Sequence, residues 1–327
     1  MSKDDKKRMD MKVIDKIKQS KKALFTFELL PPLKGHTIQE IYDTIDPLMQ
    51  FDPSYINITY HQQEVQYKTR PDGLMEKRVI RKRPGTVAIA AAIQNKYKIT
   101  VVPHMICGGF TKEETEDALI DLHFLGIDNL LVLRGDPEKG KRKFIPVKGG
   151  HTYSSELIEQ IIKLNKGKYL HADMEDAMPT DFSIGVAGYP EKHVEAPNME
   201  TDLENLKLKV DKGADYIVTQ LFFDNQKYFD FVEKCKERGI NVPIIPGIKP
   251  VSTLNDSSLL PQTFNIDLPN ELIKEIKKCT SQEQVRQVGV EWAIMQSKEL
   301  IKQGVPGIHY YTLDQSDNIE KIARVIF

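Results

Sequence analysis

Leu131-Val132-Leu133-Arg134-Gly135-Asp136-Pro137 is an apolar run that stops at a cation, a glycine and a carboxylate. Residues 129–133 predict a buried strand, because a short apolar run follows a helix-like stretch and then meets a Gly/Asp/Pro break. A single tripeptide of this kind is an ordinary turn. The same event recurs along this chain, however, and in proteins built on parallel strands ligand chemistry gathers at the carboxyl ends of those strands.

Upstream, residues 23–30 are strand-like, carry Glu28 near their end and are closed by Pro31-Pro32, which cannot continue a ladder. Residues 55–60 end in Thr59-Tyr60, and residues 101–105 carry His104. Downstream, strands are predicted over 183–189, ending in Tyr189-Pro190-Glu191-Lys192-His193, over 216–220, ending in Gln220, over 242–248, followed by Lys249, and over 307–313. Helical periodicity fills the intervals at 38–49, 87–93, 111–125, 153–164, 225–238 and 318–326, with a long helix opening at Ser281. Thr111 with Glu114, and Thr201 with Glu204, read as capping boxes. Residues 62–85, with their basic cluster, residues 137–150 and residues 254–266 read as solvated loops. Eight strands, each followed by helix, specify an α/β fold, a (β/α)8 TIM barrel. Its single domain is expected over 23–327, with 1–22 as an N-terminal extension, a solvated helix or frayed arm.

Composition narrows the function. The chain has 327 residues, 40% hydrophobic and 28% charged, with a formal net charge of -1, so no strong field draws in nucleic acid or an anionic membrane. Cys107, Cys235 and Cys279 show no metal-ligand or disulfide spacing. The opening residues mix Lys, Arg and Asp without an apolar segment, unlike a signal peptide, and no apolar run reaches membrane-spanning length. A cytoplasmic protein that binds small molecules is expected.

Glu28, Thr59, His104, Arg134, Asp136, Tyr189, His193, Gln220, Lys249 and Thr312 all fall at or just past strand ends, and a barrel collects such positions around one mouth. Together they describe a polar cup on an apolar floor, the form of a ligand site. Glu28 follows Phe25-Thr26-Phe27 and precedes Leu29-Leu30, so burial would favour its neutral form and suit it to proton donation; Asp136, beside Arg134 in a glycine loop, would stay charged. Asp202, Asn205 and Lys209 share one face of the helix after the fifth strand. Two other readings of such a cup are a Schiff-base aldolase using Lys249 and a barrel that binds its ligand without turnover.

With Phe27-Glu28, Pro31-Pro32, Thr59-Tyr60, Pro103-His104, Leu133-Arg134-Gly135-Asp136, Tyr189-Pro190-Glu191-Lys192-His193, Thr219-Gln220-Leu221-Phe222-Phe223-Asp224 and Ile245-Pro246-Gly247-Ile248 in order, the chain resembles the 5,10-methylenetetrahydrofolate reductase family, in its short bacterial form. The resemblance implies FAD bound across the barrel mouth, reduced by NADH or NADPH and re-oxidised by methylenetetrahydrofolate in a ping-pong scheme. It implies that Glu28 and Asp136 are catalytic, Glu28 as the acid that protonates the folate nitrogen. It implies flavin contacts at Thr59, His104, Arg134, Gly135, Asp136, Ser154, Ala187, Tyr189, His193, Asp202, Asn205 and Lys209, and substrate contacts at Glu28, Gln220 and Gln315. It also implies a homo-oligomer. Three positions depart from the family pattern: Gln62 stands where a small residue is usual, Leu208 replaces a basic residue, and Gln315 replaces an arginine.

Overall fold

The computed structural model describes residues 11–138, 141, 143–171, 176–313 and 316–327. Its core is a closed parallel barrel of eight strands: β1 (Leu24–Leu29), β2 (Tyr55–Ile58), β5 (Thr100–Ile106), β6 (Asn129–Leu133), β7 (Ser183–Gly188), β8 (Tyr216–Leu221), β9 (Ile244–Ile248) and β10 (Gly307–Leu313). They follow one another around the wall, and β10 closes on β1 with Leu24 opposite Gly307 and Glu28 opposite Tyr311. The barrel expected from the sequence is therefore the fold observed.

Each wall strand is buried on both faces, which is why it reads as a continuous apolar run and not as an alternating one. The two faces still divide cleanly. Phe25, Phe27, Leu29, Ile56 and Ile58 pack outward in the large cluster shared with the helices, while Leu24, Tyr55, Val102, Leu131, Tyr216, Val218 and Ile245 form an inner cluster at the amino-terminal floor. Period-2 alternation then sends Thr26 and Glu28, and likewise Asn57, His104 and His309, into the same interior one or two layers higher.

Four local expectations need correction. The segment read as a solvated helix or frayed arm is anchored over its helix α1 (Val13–Gln19): Val13 is fully buried in the inner cluster, and its N–H donates to Asn129 Oδ1 at 2.8 Å, closing the barrel floor. Residues 62–85 contain an antiparallel hairpin, β3 (Glu64–Thr69) and β4 (Met75–Ile80), turned by Pro71-Asp72-Gly73 with Arg70 N–H on the Leu74 carbonyl at 2.8 Å. Residues 254–266 are not a loop throughout but hold a helix, Asp256–Phe264, and a further helix, Asn270–Lys278, follows. The helix after β7 runs Met199–Asp211 and is capped by Asn198, whose side chain accepts from Thr201 N–H at 2.9 Å. Thr201 therefore lies inside that helix. The Thr111/Glu114 capping box forms as read.

Candidate active site

The central acid of the barrel interior is Glu28, 6% exposed at the upper end of β1. Its Oε2 lies 3.5 Å from His309 Nε2 and 3.7 Å from His104 Nε2, so one carboxylate sits between two buried imidazoles from β10 and β5. Thr26 Oγ1 donates to the Ile308 carbonyl at 3.4 Å and lies 2.9 Å from His309 Nδ1. The contact with Thr26 on one edge of the ring turns Nε2 toward Glu28. Asn57 Nδ2 approaches His104 Nε2 at 3.4 Å, and burial pushes the His104 pKa down to about 4, so this imidazole is neutral at pH 7.

Above the carboxylate, Tyr311 lies across the inner wall and its hydroxyl donates to the Thr219 carbonyl at 2.6 Å. The ring fits only because β9 offers glycine beneath it: a Cβ on Gly247 would come within 2.7 Å of the Tyr311 ring and 2.3 Å of Thr219 O. Desolvation holds the Tyr311 phenol well above its ordinary pKa, and the charge of Glu28 adds to this. Thr26 and Asn57 take their inward face from the period of β1 and β2, and His309 and Tyr311 take theirs from the pairing of β10 with β1, Thr26 opposite His309 and Glu28 opposite Tyr311.

The rim is built differently. Gly135, at φ +85°, turns the chain after β6, and a Cβ there would press on Ile106 at 3.2 Å. Asp136 is exposed, and its backbone carbonyl accepts from Gln62 Nε2 at 2.7 Å. The neighbouring Arg134 does not pair with it: Arg134 Nη1 donates to Glu195 Oε2 at 2.6 Å and its guanidinium covers Phe144. The exposed His61 records how the two carboxylates are arranged. Desolvation and the Arg83 guanidinium hold its pKa below the ordinary value, while Asp136 and Glu28 pull it back up, so all four groups share one neighbourhood. Tyr189 stacks edge-on against His193 at 4.7 Å; its phenol is raised by desolvation, then by Asp202, and feels Arg134 and Asp136.

The polar stripe of the helix Met199–Asp211 faces the strand end. Asp202, 9% exposed, accepts the His193 N–H at 2.9 Å, and Lys209 Nζ donates to the Ala187 carbonyl at 2.6 Å. Burial pushes the Lys209 pKa down to about 8 against the pull of Asp202. Asn205 is exposed between them. Ser154 opens the helix Ser154–Leu164, and Glu156 in the same first turn acts electrostatically on Cys107, as does Arg134. Thr59 is buried with both its N–H and Oγ1 on the Leu29 carbonyl, and Gln220 accepts the Leu221 N–H at 2.9 Å. Gln315 lies outside the described residues.

The donor set fits a dinucleotide-type anion. A desolvated ammonium held only by a carbonyl, a carboxylate at the same helix face and an exposed amide between them can serve the ribose and pyrophosphate of FAD.

Comparison with known proteins identifies the family. The family profile described as "Methylenetetrahydrofolate reductase" matches residues 13–326. "Methylenetetrahydrofolate reductase (NADH) 1" of Arabidopsis thaliana is 32% identical over 326 residues, covering 96% of this chain and 50% of that protein. "5,10-methylenetetrahydrofolate reductase" of Escherichia coli K12 is 29% identical over 293 residues, covering 89% of this chain and 86% of that one. This chain spans about half the length of the plant and yeast relatives it matches. Among solved structures, a Clostridium thermocellum protein that binds two copies of 5-methyl-5,6,7,8-tetrahydrofolic acid shares the fold, with a TM-score of 0.55 and 14% identity over 95% of this chain and 96% of its own. With a family profile matched from the floor helix to the last helix, the chain belongs to the methylenetetrahydrofolate reductase family.

Proposed function

We propose that this barrel reduces 5,10-methylenetetrahydrofolate to 5-methyltetrahydrofolate at the expense of NAD(P)H. The observation that carries the reading is Glu28, a single carboxylate buried between two imidazoles inside the mouth of a barrel of this family. FAD, when bound, supplies the two-electron relay that lets nicotinamide and folate react in turn, a ping-pong scheme. Lys209, Asp202, Asn205, His193 and Arg134 would hold its ribose and pyrophosphate, and Thr59, His104, Gly135, Asp136, Ser154, Ala187 and Tyr189 would complete its bed.

Glu28 donates its proton to the folate nitrogen as the methylene bridge opens to an iminium, and His309, oriented by Thr26, fixes the carboxyl in place for that transfer. Asp136 faces the developing cation and stabilises it electrostatically. Gln220, and Gln315 beyond the described residues, contact the pterin or the nicotinamide in turn. The catalytic unit is the single barrel of residues 23–327 with 1–22 as its extension, acting as a homo-oligomer in the cytoplasm and feeding methionine synthesis. Among the described residues no helix is long and apolar enough to cross a membrane.

Purified protein tests the reading directly. It should be yellow with flavin absorbance, bleach with NADH or NADPH and recover its colour with methylenetetrahydrofolate. A colourless protein that takes up no added FAD overturns it.

A further inference from the structure

The hairpin β3–β4 is an amphipathic ribbon with its apolar side open to solvent. Successive side chains alternate between faces, so Val65, Tyr67 and Thr69 of β3 share one face with Val79, Lys77 and Met75 of β4, paired across the ribbon in that order. Tyr67 is 64% exposed, and Met75, Val79 and Leu74 at the turn are exposed as well. Lys77, opposite Tyr67, is the one charge among those six side chains, and among the described residues it pairs with no carboxylate. The other face carries its charge in pairs, Arg78 with Glu76 at 2.9 Å and Glu64 with Lys82 at 2.6 Å. A two-stranded hairpin is marginal by itself, and an exposed apolar face of this kind marks an interaction surface.

A second surface has the complementary make-up. Along the helix Lys112–Phe124, residues Glu113, Asp117, Ile120, Asp121 and Phe124 recur at spacings of three and four and so line one side of it. That side is one wall of a groove of about 1050 Å³, and Met178 stands on the other wall. Glu116 Oε2 accepts the Leu170 N–H at 3.0 Å, which holds the two walls together. Phe124 is 85% exposed, and Met178 is exposed too. The carboxylates Glu113, Asp117 and Asp121 have no cationic partner among the described residues, His123 beside them turning to Asp128 at 3.0 Å.

Each copy thus carries both halves of a contact that it does not make with itself, since ribbon and groove are both exposed. One ribbon face, ~20 Å long and ~10 Å wide from six residues on each of two strands, is small beside the ~800 Å² per partner of a specific interface, and a two-fold axis that uses ribbon and groove on both sides doubles it. We propose that the apolar face of β3 and β4 of one copy seats in the groove beside the helix Lys112–Phe124 of a second copy, and reciprocally, with Tyr67 and Met75 against Ile120, Phe124 and Met178 and with Lys77 among the three carboxylates. A foreign partner would have to be acidic and apolar in the same pattern, which this chain already supplies. The docking rests on the homo-oligomer of the function proposed above but not on its chemistry, and it is read from mass alone, so a barrel that reduces no folate leaves it standing.

The test is sedimentation velocity of the full chain across micromolar concentrations, where the wild type should pass from monomer to dimer. Lys77→Glu, and separately Asp117→Lys combined with Asp121→Lys, should each weaken the dimer about 10-fold, because the symmetric contact loses its surface charge pairs twice over. Mixing these two variants should restore association as a heterodimer, since each hairpin then meets a groove of opposite sign; damage to the fold by either change would not be repaired in this way. Tyr67→Ser should weaken the dimer by about 100-fold, an aromatic anchor lost at both contacts. A wild-type protein that stays monomeric overturns the docking, including one whose hairpin takes up anionic vesicles or another protein instead. So does a dimer that all these variants leave intact, whose interface lies elsewhere, and so does a pair of weakened variants whose mixture stays monomeric.

Discussion

Glu28 and Asp136 share one mouth but are held there by opposite means. Glu28 is 6% exposed, set by the register of β1 against β10 and flanked by imidazoles from two other strands. Asp136 is exposed, carried on a glycine turn and tied by its backbone to Gln62 on the connection that leads to the hairpin. Rigid strands position the first, and contacts between loops position the second. A group that must deliver a proton to one atom profits from the former. A group that only needs to present charge tolerates the latter, because a Coulomb interaction falls off gently with distance.

That contrast is broken or sharpened most strongly by substituting the two carboxylates in turn. Glu28→Gln keeps the shape and removes the transferable proton. The folate half-reaction should drop by about 10²–10⁴-fold, the range of a lost general acid, while stopped-flow bleaching of the flavin by the nicotinamide stays within a few-fold of wild type. Equal loss in both half-reactions would remove Glu28 from the acid role. Asp136→Asn keeps the turn and removes charge, so the folate half-reaction should slow by about 10- to 100-fold, less than a lost acid because solvent at the exposed rim screens the interaction. A parent rate in that variant would leave Asp136 with no electrostatic part in the step.

The same division between strand and loop explains what was legible in the sequence. The barrel could be read because parallel strands buried on both faces are continuous apolar runs punctuated by polar ends, and the residues at those ends, from Glu28 to Gln220, fall where a barrel places them. His309 was passed over because Gly307-Ile308-His309-Tyr310-Tyr311 has no apolar/polar alternation to declare its inward face; pairing with β1 decides it. The partner of Arg134 was illegible for another reason. Glu195 is 61 residues away and no local signal couples them, whereas Asp136, two residues on, looks like the partner and is not. The hairpin, by contrast, was readable in Pro71-Asp72-Gly73 after the alternating run Glu64–Thr69, and the charge of the flanking residues masked it.

On the loop-built rim the next effect is smaller and concerns binding. Lys209 is a desolvated ammonium with a pKa pushed down to about 8. If it meets the pyrophosphate, FAD affinity of the apoprotein should weaken as pH rises through about 8, where the cation is lost, and Lys209→Met should weaken it by about 10-fold and erase that pH dependence. Fluorescence titration of FAD at pH 7 and pH 9 measures both. An affinity that ignores both the pH and the substitution would detach Lys209 from the cofactor.

The smallest effect tests how the rim loop is pinned. Glu191, in the loop after β7, has a side chain only 8% exposed; its Oε2 accepts the Asp267 N–H at 2.9 Å, its Oε1 is buried without a partner, and Lys227 stands 3.9 Å away. Burial pushes its pKa up to about 7 from an ordinary 4.5; the Asp267 N–H opposes the rise, the Asp267 side chain adds to it and Lys227 opposes it. A carboxyl whose folded-state pKa lies above its unfolded one binds protons more tightly when folded. It therefore imposes no penalty below about 4.5, and the stability it confers is lost progressively as pH climbs from there to about 7. Glu191→Gln, which stays neutral throughout, should flatten that part of the curve and leave the protein relatively more stable at pH 8 than at pH 5 when each is compared with the parent. Urea midpoints across pH 4 to 8 check this. A parent curve with the same slope as the variant's would mean that Glu191 is charged and solvated in the folded protein, and that the loop carrying Tyr189 and His193 is held by its other contacts, the His193 N–H on Asp202 and the Lys192 ammonium on the His193 and Ala196 carbonyls.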